Sequence, residues 1–177
     1  MRVLAAVLTC AALLPACGGG GETHEPGDVV LVAGSAMTDG TGFVPVADGE
    51  VVPLISGAQG GFHVWVNVQV EGTMGAVTLE REGRLDDTDQ LVLAASRSSL
   101  EIPADAMVAP WDAPDAAPSF MCPTPVGLSV IDQPIRFRVR LLDDLDAVLA
   151  EDTIVVRPTC PTTEGLADFC QDICSGS

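Results

Sequence analysis

Residues 61–70, GFHVWVNVQV, alternate without a break: Phe62, Val64, Val66, Val68 and Val70 in one phase, His63, Trp65, Asn67 and Gln69 in the other. Successive side chains of an extended chain point to opposite faces, so such a run suits a strand with one apolar face and not a helix of period 3.6. The period recurs. GAVTLEREG sets Val77 and Leu79 against Thr78 and Glu80, and QPIRFRVRLLD alternates as sharply. DVVLVAG, GEVVPLISG, QLVLAASRSSLEI and AVLAEDTIVVRP are further short runs, with Pro53 pushing the second towards an edge or an end. Gly-, Asp- and Pro-rich turns separate the runs, and no stretch combines a helical period with caps. The fold expected is all-β: an antiparallel sandwich of about seven strands over residues 28–177.

The series resembles immunoglobulin-like and fibronectin-type domains in architecture only. No cysteine precedes Trp65 in the mature body, so the Cys…Trp…Cys core of antibody domains is missing. QGGFHVWV is also similar to a stretch of uncharacterised bacterial lipoproteins with such domains, a resemblance that implies no activity. Residues 102–125 break the rhythm with six of the thirteen prolines. They are expected to cross between sheets or to form a functional loop, with one short strand near 106–108. Trp111, in their middle, either plugs an open end of the core or faces a ligand.

The N-terminus, MRVLAAVLTCAALLPAC, has one arginine followed by an apolar run from Val3 to Leu14. That is the order of a secretory signal, and the run falls short of the roughly 20 residues of a membrane span. Leu14-Pro15-Ala16-Cys17 resembles the lipobox of bacterial lipoproteins. The resemblance implies cleavage before Cys17, a diacylglycerol on its sulfur, and a membrane as first partner. On that reading residues 1–16 are the leader and 17–27 a glycine-rich flexible tether. Gly18, where an aspartate would retain the protein in the inner membrane, implies by the same resemblance the outer membrane of a Gram-negative bacterium. His24 in the tether stands alone and is read as solvated.

Cys122, Cys160, Cys170 and Cys174 remain for the body. An even number in an exported chain implies disulfides, and four cysteines allow three pairings. The tail LADFCQDICSGS has little apolar surface and frays unless tied. Cys170 and Cys174 are therefore expected to bond back to Cys160 and Cys122, and not to each other. Zinc is disfavoured by the loose spacing and the absence of a nearby histidine.

Function is less legible. If the polar phase of residues 61–70 is covered, Trp65 packs and His63 is hydrogen-bonded; if it is open, His63 and Trp65, with Trp111, form a binding face. The covered arrangement is the one expected. Arg136, Arg138 and Arg140 share a strand face. They read as an anion stripe or, in so acidic a chain, as partners of Glu80, Glu82, Glu151 or Asp152. The acidic turns LDDTDQ and LDDLDA could hold Ca²⁺, but neither matches the calcium loop, and turn chemistry alone explains their aspartates. His63 is the only imidazole of the body, and no nucleophile, metal or phosphate-loop motif accompanies it. The net charge of −17 lacks the basic footprint of a nucleic-acid binder. The reading is thus a non-enzymatic, lipid-anchored envelope module without cofactor. Its partner would be an envelope protein or a glycan; a calcium- or ligand-binding surface domain is the alternative.

Overall fold

The computed structural model describes residues 28–176. Two sheets face each other. The first is built around β4 (Phe62–Glu71), the longest clean alternation of the sequence. One edge of β4 takes β3 (Ile55–Ser56) and β1 (Val30–Gly34); the other takes β8 (Ala117–Cys122) and β7 (Trp111–Asp112). The second sheet has the order β2 (Glu50–Pro53), β10 (Val148–Thr159), β9 (Ile135–Leu142), β5 (Gly75–Leu85), β6 (Leu91–Ile102). Among the described residues only β2 and β10 pair in parallel; the other strand pairs are antiparallel. The order β10–β9–β5–β6 is the G-F-C-C′ order of an immunoglobulin-like sandwich, with β4 and β8 in the facing sheet.

The apolar phase of β4 is the core. Phe62, Val64, Val66, Val68 and Val70 are buried, and so are Ile135, Phe137, Val139 and Leu141 of β9. Branched and aromatic side chains fill a pleated, two-sided interior well, which is why these runs settle as strands. The acidic hairpin turns are explained by backbone geometry. Asp89 and Asp146 have φ of 59° and 62°, a left-handed conformation that aspartate tolerates better than most residues.

Three details depart from the sequence reading. The described residues form ten strand segments instead of about seven, because the run from Glu50 to Ser56 changes sheets at Leu54 and gives β2 and β3, and the proline-rich stretch adds β7 and β8, separated by residues 113–116. The proline-rich stretch holds no strand at 106–108. It forms a 3-10 turn there, Ala104–Met107, and supplies β7 and β8 further on. Pro118 is accommodated because β8 pairs with β4 alone and leaves its other edge free of a ladder. The tail, finally, is a helix, α1 (Leu166–Cys174). Leu166, Cys170, Ile173 and Cys174 lie at helical spacing and pack against the body. Nine residues without a side-chain cap give that period too few repeats to show in the sequence.

Two disulfides fix α1. Cys174 bonds Cys122 at the end of β8, and Cys170 bonds Cys160 just after β10. The helix is thereby tied to both sheets, and its cysteines do not bond each other.

Candidate functional site

The lipidation candidate Cys17, the leader and the tether lie outside the described residues. Among the described residues, no helix is long and apolar enough to cross a membrane.

The polar phase of β4 is covered. The loop after β1 folds over it, closed by reciprocal backbone bonds between Ser35 and Val44. Trp65 is part-buried and donates its indole N–H to the Thr38 carbonyl at 3.2 Å. A Cβ on Gly40 would stand 2.9 Å from the indole ring, so a glycine is needed at this approach. Asn67 is 1% exposed; its amide donates to the carbonyls of Gly42 (2.7 Å) and Ala113 (2.8 Å), and its oxygen accepts the Val68 N–H. That one side chain ties the covering loop and residue 113 to β4.

His63 is 5% exposed and meets the Trp65 ring edge-on at 4.3 Å and the Phe120 ring at 5.5 Å. Neither ring nitrogen has a hydrogen-bond partner among the described residues, which corrects the expectation of a bonded imidazole. Burial pulls its pKa below the ordinary value, which keeps it neutral. Trp111 is part-buried against the core and sits opposite Val70, at the far end of β4. The structure therefore joins His63 to Trp65 and leaves Trp111 apart from both.

The arginine stripe lies on the outer face of the second sheet and is paired. Arg140 and Arg97 both bond Glu80, and Arg97 also reaches Asp146 at 2.8 Å. Arg84 bonds Glu82 at 2.8 Å, and Arg138 approaches the same carboxylate at 3.5 Å. Arg136 holds Asp86 and Asp89. Burial works against the charge on Glu80, but hydrogen bonds and charge from Arg97 and Arg140 outweigh it and lower its pKa. Glu82 is lowered chiefly by the hydrogen bond from Arg84. Asp152 turns elsewhere and accepts the Ala33 N–H at 2.7 Å, joining the two sheets. Of the acidic turns, Asp86, Asp89 and Asp146 are engaged by arginines, while Asp143 accepts the Leu145 and Ala147 N–H groups. Among the described residues no three metal-binding side chains converge.

A different arginine defines a site. Arg81 follows Val77 and Leu79 in the apolar phase of β5, so the alternation turns its side chain inward. It is 3% exposed. Among the described residues its Nε and Nη1 have no partner, and Nη2 makes one long contact, 3.5 Å to the Ser96 hydroxyl. Arg81 lines a cleft of about 420 Å³ between β6 and the chain running from Ala113 into β8. Ser96 and Ser98, in the same phase as Leu100, supply hydroxyls on the β6 side; Leu79 and Leu100 are apolar, and Ala117, Pro118 and Phe120 form the opposite wall. In the β5–β6 ladder Arg81 opposes Ser96 and Gly83 opposes Leu93, so β6 carries an extra residue beside Arg81. Bulges of this kind re-aim side chains and collect next to binding sites. The sequence held one signal for this site, an arginine standing on the core phase of a strand; the facing wall is non-local and left none. Compared with known proteins, the chain matches no family model and no curated sequence.

Proposed function

We propose that the chain is a lipid-anchored lipoprotein of the cell envelope whose sandwich is a non-enzymatic binding module. One observation carries the anchoring. Cys122, Cys160, Cys170 and Cys174 are all consumed in disulfides. Once the leader with Cys10 is removed, Cys17 is the one thiol left for a lipid, at the position that the lipobox resemblance assigns to it. Two disulfides also suit an oxidising compartment. Gly18 after the anchor supports the outer membrane.

A binding role is supported by the Arg81 cleft, whose volume falls within the range of small-molecule pockets. The non-enzymatic reading is supported by His63, whose ring neighbours are Trp65 and Phe120. A general base needs a reacting proton within hydrogen-bond reach. Calcium binding is not favoured, because the turn aspartates already serve arginines and turn backbone.

The test is intact-mass analysis of the protein from a Gram-negative host, beside a Cys17→Ala variant, after feeding a labelled fatty acid. The expected product begins at Cys17, carries two or three acyl chains and sediments with the outer membrane. A product that retains residues 1–16, or an unlabelled Cys17, would overturn the assignment.

A further inference from the structure

We propose that the cleft over Arg81 is a binding site for a small monocarboxylic acid with an apolar body, its carboxylate seated on the guanidinium. The inference goes beyond membrane anchoring and does not depend on it.

The charge of Arg81 sets the requirement. Arginine stays protonated in proteins, and a buried cation without a counter-charge is costly. Five other arginines of the second sheet reach carboxylates, Arg84, Arg97, Arg136, Arg138 and Arg140, and the exposed Arg157 donates to the Asp132 carbonyl. Among the described residues Arg81 reaches only the Ser96 hydroxyl, in a chain with 25 acidic residues. Asp115 lines the same cleft, but no ion pair joins it to Arg81 among the described residues. Arg81 instead lines a cleft, with its Nε and Nη1 buried and unpartnered among the described residues, beside a strand irregularity that shapes the wall.

The lining decides among anions. One positive charge matches one negative charge. A phosphate dianion would bring a second, close to Asp115 at the same cleft. The planar fork of a guanidinium fits a carboxylate in two parallel hydrogen bonds. Hydroxyls of Ser96 and Ser98 can donate to the same oxygens. Leu100 and Phe120 offer apolar surface for the remainder of the ligand. With a net charge of −17 the long-range field repels anions, so binding depends on these short-range contacts.

The probe is 3-phenylpropanoate, titrated into the mature lipoprotein in detergent and followed by calorimetry and by ligand-observed NMR. 3-Phenylpropanamide has the same shape without the charge, and inorganic phosphate has the charge without the body. The acid is expected to bind at least tenfold more tightly than either, and Arg81→Met to abolish binding while folding intact. In the absence of ligand, Arg81→Met is also expected to raise the melting temperature, because it removes an unpaired buried charge. The proposal fails if the amide binds as well as the acid, if the acid shows no binding at millimolar concentration, or if Arg81→Met lowers the melting temperature. The acid–amide comparison uses the unaltered chain and decides the question even if the variant misfolds. Acylation of Cys17, read by mass, stands or falls separately.

Discussion

Removing the two disulfides one at a time should separate them by size. Cys122 and Cys174 are 52 residues apart, Cys160 and Cys170 only 10. A cross-link stabilises mainly by restricting the unfolded chain, and the restriction grows with the logarithm of the loop. Those separations give about 4 kcal/mol for the first bond and about 2.7 kcal/mol for the second. The described body has about 150 residues, whose unfolding entropy near 60 °C converts these into melting-point losses of about 13 °C and about 9 °C. The paired variants Cys122→Ala/Cys174→Ala and Cys160→Ala/Cys170→Ala isolate each term, measured by scanning calorimetry of the purified, oxidised protein at one scan rate. The longer loop must matter more. If the 10-residue bond proves the stronger, or if both variants melt within 2 °C of the parent, the loop argument is wrong, and the value of the bonds lies in how α1 packs.

Other outcomes follow from the polar contacts. Glu80→Gln leaves Arg97 and Arg140 without their shared carboxylate and should cost about 1.5–3 kcal/mol in urea unfolding, discounted towards the lower end because both arginines are partly solvated. The lowered pKa values of Glu80 and Glu82 mean that their stabilisation is complete above the ordinary carboxylate range and is lost as pH falls through the folded values; urea midpoints between pH 5 and pH 2 test this. His63 also has a lowered folded pKa, but its protonation is favoured in the unfolded chain. Stability should therefore decline as pH falls below about 6.5, and a His63→Phe variant should lack that decline. Asn67→Ala strands two carbonyls and an N–H and should lower stability by about 2–3 kcal/mol, with earlier hydrogen exchange at Gly42 and Ala113. Calcium at millimolar concentration should leave the melting temperature unchanged, since Asp86 and Asp89 already hold Arg136.

What the sequence disclosed was periodic and local. The buried face of β4 and the outward phase of Arg136, Arg138 and Arg140 follow from a period of two that ten residues are enough to establish. The cover over Trp65 and Asn67 was expected only in general terms. Its actual makers, Thr38, Gly40 and Gly42, lie about 25 residues upstream in a stretch with no pattern of its own. The helix escaped because its apolar stripe spans little more than two turns and two of its members are cysteines, which read first as bridges. The Arg81 cleft escaped for a deeper reason. One wall comes from the bulged edge strand β6 and the other from the proline-broken path into β8, and nothing local records that they meet.

The position of the chain's entry gives the sandwich a polarity. Asp28 lies against Gly72, just beyond the last residue of β4, whereas α1 packs its Phe169 ring 5.8 Å from Phe62, the first residue of β4. Ten residues of strand separate those ends, roughly 30 Å. Were the body anchored from upstream of Asp28, as proposed, the doubly stapled cap would lie at the end of β4 remote from the point of attachment.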